Sequence, residues 1–470
     1  MKSIALYGAS ASAASAFVLL AACASVPNRP PPNPAEVMAA FAARRLTDLA
    51  PGTPAPSAGW NLAQWFDAAL QRNPQLAEAR AHVVAVAAAE RTAAQRPNPT
   101  MELFGEYVGN AARGAAWLYG VSLDFLIRRP GDRARARRYA QVQTVLAQAD
   151  LAESIWRVRA TLRQALLDAA SARDEAALLD ALIVKRQALL VATRAQAEVG
   201  EVAWTETLAI EVELSRVKQR LSHAQARRAD AEARLAAAVG LPVAALDGIP
   251  VQWEGWADIG ALAASPPSDW RGEALIGRPE IVRAVHEYDL ADSALRGEVA
   301  KRWPDLHITP GYAWGRDGVR ENPLNDLVRQ NALSVTFEAP VFNFHEGPIG
   351  EALARREVAG QHLTAVQAEL YGQIDRAERA WPGARRAWEH AAGAVTVAER
   401  RREADERSLA AGAADRNSVF SAGVAATEAQ LTLLEAACEA ELAFGALEDA
   451  YRRPLSRPAS APPLGASPRG

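Results

Sequence analysis

Cysteine is almost missing from this chain: Cys23 and Cys438 are the only two among 470 residues. That excludes a disulfide framework and a cysteine-rich metal site. Methionine is as scarce, with three, so there is no soft-metal relay. None of the seven histidines lies in an HExxH or paired CxxC setting. His345 beside Glu346 is a candidate metal contact, against the simpler reading of a solvated pair. No G-x-S-x-G, phosphate-binding or dinucleotide-binding loop occurs, so the chain reads as neither an enzyme nor the holder of a cofactor or metal. A formal net charge of −3 gives no sign of nucleic-acid binding. Beyond the N-terminus no apolar run is long enough for a transmembrane helix. Glycine and proline are absent from residues 132–199 and again from 201–239.

The N-terminus carries an address. Lys2 precedes an Ala/Ser-rich apolar stretch over residues 4–22, the pattern of a secretory signal peptide spanning 1–22. Leu20-Ala21-Ala22-Cys23 resembles a bacterial lipobox, which implies a covalent lipid on Cys23; the alternative is an ordinary signal with an incidental cysteine. Ala24 and Ser25 place no aspartate after it, which by analogy favours the outer membrane. Residues 23–59 are proline-rich and read as a lipid-anchored tether, with a short helix over 35–49. Residues 453–470 read as a disordered tail. Cys438, in an Ala/Glu/Leu stretch, reads as a buried apolar residue.

The body repeats itself. RNPQLAEARA from Arg72 answers GRPEIVRAVH from Gly277, with Pro74 and Pro279 205 residues apart. Pro99 and Pro304, then Tyr107 and Tyr312, keep that offset. Ser122 and Ser334, and Gly200 and Gly412, stand 212 apart, so the extra residues fall in 313–332. Ordered matches with one consistent insertion predict two tandem units of about 200 residues. Repeat 1 covers 60–246, with a β-hairpin over 99–125 and long helices over 132–199 and 201–239. A linker spans 247–272. Repeat 2 covers 273–452, with a hairpin over 305–338 and helices over 348–411 and 413–452.

The strands alternate. Trp117, Tyr119, Val121, Leu123 and Phe125 point one way; Leu118, Gly120, Ser122 and Asp124 point the other. Met101, Leu103 and Tyr107 oppose Glu102 and Glu106. Leu306, Ile308, Tyr312 and Trp314 alternate with His307, Thr309 and Gly311, and Leu333, Val335 and Phe337 with Ser334, Thr336 and Glu338. Apolar-out, polar-in strands of this length suit a membrane β-barrel, and equally a soluble sheet with one wet face. In the helices, Leu146, Leu151, Ile155, Val158, Leu162, Leu166 and Ala169 recur at helical spacing. Periodicity this long points to coiled coil or helical repeat. Trp381-Pro382-Gly383 predicts a kink or break in the long helix of repeat 2. Four strands cannot close a barrel, so strands in lipid require several chains to share one. The fold class is therefore mainly α with a small β part.

RNPQLAEARA and RPNPT before the first hairpin, VTFEAPVFNFHEGPIGEALARREVA after the last strand, the tips EVGEVAWTETL and AAGAADRNSVF and the 205–212 offset together resemble the TolC-like outer-membrane efflux proteins over residues 60–452. The lipobox resembles their lipid-anchored branch, and PVFNFHEGPI their heavy-metal (cobalt–zinc–cadmium) subgroup. The resemblance implies a homotrimer whose strands close a 12-stranded barrel in outer-membrane lipid and whose helices form a tunnel across the periplasm. It implies a periplasmic adaptor and an inner-membrane efflux transporter as partners, in a tripartite pump that exports metal ions or drugs. It also puts the entrance at the helix–helix turns, around Gly200 and Gly412, with Glu201, Glu206, Asp415, Arg416, Ser418 and Ser421 as gate candidates. Family members often carry acidic residues there; Ser418 and Ser421 stand in such places here, which weakens the case for cation selection at the tip. Each of these residues reads equally well as a solvated turn. The rival reading of the whole is a periplasmic coiled-coil scaffold lipoprotein with a soluble sheet.

Overall fold

The computed structural model describes residues 30–46, 60–108, 116–251, 253, 259–262, 268–316, 327–338 and 341–455. Cys23, the signal peptide and most of the tail lie outside the described residues. The chain divides into two compact units, 1–45 and 46–470. The described part of the first is helix α1, Pro34–Ala42, capped by Asn33, whose side chain accepts from the Ala35 N–H. It ends well before residue 49, where the sequence pattern put its end.

The second unit runs through the same order of elements twice. First come α2 (Leu62–Arg72), α3 (Pro74–Ala93), β1 (Thr100–Val108), β2 (Ala116–Ile127), α4 (Asp132–Glu198) and α5 (Trp204–Val239). Then follow α6 (Ser268–Gly277), α7 (Pro279–Ala300), β3 (Leu306–Arg316), β4 (Leu327–Phe337), α8 (Glu346–Ala410) and α9 (Arg416–Tyr451). Among the described residues no helix is long and apolar enough to cross a membrane.

Local chemistry sets these boundaries. Asn61 and Gln64 form a reciprocal capping box that starts α2. Asn73 ends α2, because a residue before proline is pushed out of the helical region, and Pro74 then opens α3 at the position where its missing N–H costs nothing. Gly131, at φ 86°, turns the chain into α4, whose first residue, Asp132, suits the positive end of the helix dipole.

Each half ties its start to its end. The buried Asn73 accepts from the Leu76 N–H and donates to the Ala238 carbonyl at 2.7 Å, near the C-terminus of α5. At the corresponding place the buried Arg278 donates to the Ala450 carbonyl at 3.0 Å, near the C-terminus of α9. Asn73→Ala loses a helix cap and leaves a buried carbonyl without its donor. It should lower stability by about 2–3 kcal/mol, read as a lower urea midpoint of the purified protein.

Two cores follow from this closure. Trp65, Leu76, Leu162, Leu166, Leu235 and Val239 build one; Ile374, Trp381, Phe444, Leu447 and Tyr451 build the other. Leu162 and Ile374, and Leu235 and Leu447, stand 212 residues apart. Of the periodic positions in α4, Leu146, Val158, Leu162, Leu166 and Ala169 are buried, while Leu151 and Ile155 are half-buried. The long helices pack side by side in the order α5–α4–α9–α8, a wall rather than a thick globule.

Two expectations need correcting. Helix α8 runs through Pro382 without a break. An interior proline costs about 3 kcal/mol, but the preceding Trp381 is buried edge-on against Phe444, ring centroids 5.0 Å apart, and that packing holds the helix together. Cys438 is half-buried rather than buried, and desolvation pushes its thiol up to about 11.

Candidate functional site

The four strands make one antiparallel sheet in the order β1-β2-β3-β4. Each hairpin pairs within itself, and β2 joins β3 along most of the length of both strands, with Val121 opposite Tyr312. Residues paired across strands share a face. The register therefore puts Met101, Leu103, Val121, Leu123, Tyr312, Pro310, Leu333 and Val335 on one face. The opposite face carries Glu102, Ser122, Asp124, His307, Thr309, Ser334 and Thr336. Period-two alternation in each strand has become two coherent surfaces, one apolar and one polar.

Neither surface is covered. Leu333 is 71% exposed, and Leu103, Tyr119, Phe125, Val335 and Phe337 are exposed beside it. A contiguous exposed apolar face marks a surface that meets a membrane or another protein. The edges β1 and β4 have no partner strand among the described residues, which leaves a row of unpaired backbone groups on each side. On the polar face, Phe104 lies across Gly120, where any Cβ would collide with its ring. Asp124 accepts from Thr309 Oγ1 at 3.0 Å and meets His307 Nδ1 at 2.8 Å.

The other candidate region is the pair of helix–helix turns. Gly200 at φ 81° and Gly412 at φ 73° both take the left-handed conformation that ends a helix. The closures match: the Glu201 N–H reaches the Gln196 carbonyl, and the Ala413 N–H the Ser408 carbonyl. Glu201 and Glu206 are exposed, with Glu206 in the first turn of α5. Asp415 caps α9 by accepting from the Ser418 N–H at 2.9 Å, and Ser418 Oγ returns a bond to the Asp415 carbonyl. That backbone N–H, against a small opposing desolvation, holds the Asp415 carboxyl below its usual value. Arg416 and Ser421 are exposed on the same turn and first turns of α9. Ser418 is thus a capping partner, and the serines do not form an acidic ring.

The structure adds contacts that join the two hairpins. Asn417 Nδ2 donates to Gln196 Oε1 between the tips. Further along, Lys185 donates to Thr427 Oγ1 at 2.6 Å, Arg186 pairs with Glu428, and Arg220 bridges Glu175 and Glu435. No local signal in the sequence points to these, because their partners lie more than 200 residues apart except Glu175 with Arg220. The arginines at the start of α4 are engaged: Arg133 donates to the Ala94 carbonyl and Arg135 pairs with Asp132. His345 starts α8 in a left-handed conformation at φ 60°.

The family model described as outer membrane efflux protein matches residues 65–241 and 270–451, stretches that begin 205 residues apart. No curated protein sequence is similar enough to this chain to count as a match. Among solved structures, a membrane protein from Pseudomonas aeruginosa superposes with a TM-score of 0.68 at 15% identity, covering 91% of this chain and 99% of the other. The open-state MtrE outer membrane channel of Neisseria gonorrhoeae gives 0.67 at 17%, covering 84% and 90%. The CmeC outer membrane channel of Campylobacter jejuni gives 0.66 at 15%, covering 91% and 94%.

Proposed function

The chain belongs to the outer membrane efflux protein family, and on that premise we propose how its two-faced sheet and long helices make one third of a conduit. The protein is an outer-membrane channel subunit of a tripartite efflux pump, and the scaffold reading with a soluble sheet gives way. Three copies bring twelve strands, β1 of one meeting β4 of the next. That closes the backbone edges, which lipid would otherwise leave unsatisfied at several kcal/mol per group. The apolar face meets lipid and the polar face lines the pore. The observation that carries this is the sheet itself: apolar on one side, polar on the other, open at both edges.

The helices continue the path into the periplasm. At 1.5 Å per residue the 67 residues of α4 reach about 100 Å. Their tips meet a periplasmic adaptor and, through it, an inner-membrane transporter that supplies both energy and cargo. The channel conducts passively, so whether the solutes are metal ions or drugs is set by that transporter. A lipid on Cys23 ties the mature N-terminus to the membrane. Labelled palmitate should enter the wild-type protein and not Cys23→Ala; equal labelling of both rejects the anchor.

Gly200 and Gly412 form the entrance, and Glu201, Glu206, Asp415, Arg416, Ser418 and Ser421 surround it. The Gln196–Asn417 bond holds neighbouring tips together. Asn417→Ala loses this bond in each of three copies, about 1 kcal/mol apiece, and should raise the open-to-closed ratio in planar bilayers about fivefold per chain, or about a hundredfold where the three tips open together. An unchanged open probability removes this pair from the gate. Conduction itself is tested by inserting the purified protein into a bilayer: discrete current steps support the reading, and none at any protein concentration defeats it.

A further inference from the structure

At the end of the sheet that joins the helices, a groove of about 650 Å³ opens on the apolar face. Phe125 and Ile127 of β2 and Ile308 and Pro310 of β3 form its apolar part. Phe125 lies opposite Ile308 in register, and Phe125 and Ile127 are both exposed. Arg96, before β1, and Arg128, after β2, line the same groove and are also exposed. Among the described residues neither arginine pairs with a carboxylate or makes a side-chain hydrogen bond. Their neighbours differ: Arg129 pairs with Asp132 and Asp305, Arg133 donates to the Ala94 carbonyl, and Arg137 faces Glu90.

We propose that this groove holds one anionic phospholipid of the leaflet that faces the helices, its phosphate between Arg96 and Arg128 and its acyl chains along Phe125, Ile127, Ile308 and Pro310. The inference rests on the trimeric channel described above, in which this face meets lipid. Guanidinium groups match phosphate oxygens with a fork of N–H donors, and two of them at the border of lipid and water need a counter-charge that no described side chain supplies. A zwitterionic headgroup brings its own cation and leaves that need unmet; an anionic one meets it. The aromatic and branched side chains take the acyl chains at the depth where the arginine heads reach the interface. β2 and β3 are the inner strands of the four, away from the edges at which a neighbouring chain joins, which leaves lipid as the occupant.

The surroundings supply the control. Arg302 stands at the same end of the sheet, between α7 and β3, outside the groove, and donates to the Phe344 carbonyl at 3.2 Å. A general attraction of basic residues for anionic lipid would draw on Arg302 as much as on Arg96 or Arg128. A seated lipid draws on the two groove residues alone.

The test is native mass spectrometry of the full-length mature protein, stripped of bound lipid by detergent exchange and titrated with phosphatidylglycerol or with phosphatidylcholine of the same chains. The wild-type trimer should take up one phosphatidylglycerol per chain and hold it roughly tenfold or more tightly than phosphatidylcholine. Arg96→Gln and Arg128→Gln should each weaken phosphatidylglycerol about fivefold, and Arg302→Gln should leave it unchanged. Two separate groove variants guard against a folding defect in either. Inorganic phosphate should not displace the lipid. Equal binding of the two lipids, an equal loss in Arg302→Gln, or displacement by phosphate overturns the inference. So does uptake that appears only in Cys23→Ala, which would give the groove to the chain's own anchor. A trimer that binds neither lipid overturns it as well, while leaving the channel intact. A protein that forms no trimer in detergent overturns the channel reading, and this inference with it.

Discussion

Leu333→Arg should remove the protein from the outer membrane, whereas Ser334→Arg, one residue later, should leave it there. The two positions are neighbours in β4 and point to opposite faces of one sheet. Leu333 pairs with Pro310 midway along the strands and is among the most exposed apolar residues of the molecule. An arginine facing lipid at the midplane costs about 2–4 kcal/mol per site, and a closed trimer bears that cost three times. Ser334 lies beside Thr309 and Thr336 on the polar face, where an arginine meets water. Fractionation followed by electrophoresis without boiling reads the outcome. Equal loss of both variants would mean that β4 tolerates no bulk at all. Equal survival would mean that the face carrying Leu333 does not meet lipid.

Gly240→Ala should cost about 3 kcal/mol or more, most of it from two effects acting at one atom. Gly240 ends α5 at φ 89°, a conformation that penalises any side chain. A Cβ there would lie 2.6 Å from the Arg72 carbonyl oxygen and 2.9 Å from Pro74 Cδ, both parts of the rigid α2–α3 corner. Nothing nearby is the free end of a flexible side chain, so the corner itself must move. The matching position in the second half is Arg452, which accepts φ 52°. Its side chain bonds to Glu153 and Glu280 and lies near the Trp156 ring, contacts that offset the strain. Burial would raise the Glu280 carboxyl, but hydrogen bonds from Arg278 and Arg452 outweigh it and hold it at about 2. The support Glu280 gives is therefore complete above its unfolded value of 4.5 and lost only as pH falls towards 2. Gly240→Ala should lower the urea midpoint at every pH, whereas Glu280→Gln should act near neutrality and merge with wild type in strong acid. A Gly240→Ala protein as stable as wild type would show that the α2–α3 corner is soft.

The features legible in the sequence are those whose signal is local or periodic. Alternation in four short segments gave both faces of the sheet, because strand geometry fixes side-chain direction without reference to the rest of the chain. The 205 and 212 offsets reappear in the structure as Asn73 matching Arg278 and Gly200 matching Gly412. The helix tips were readable because glycine in a left-handed cap is a local requirement. Other features depend on who meets whom across the fold. The pairing of β2 with β3 brings Asp124 to His307 over 183 residues, and no pattern around either residue announces it. The Gln196–Asn417 link is hidden for the same reason. Pro382 misled because a proline is a strong local breaker, while the burial of Trp381 that overrides it is a tertiary effect.

The central claim is that four strands per chain form a barrel only when three chains share it. Light scattering of the mature protein extracted in mild detergent, corrected for bound detergent, tests this most directly. A protein mass of three chains, with no folded species once detergent is withdrawn, is the predicted result. A single folded chain that stays soluble in plain buffer would contradict it.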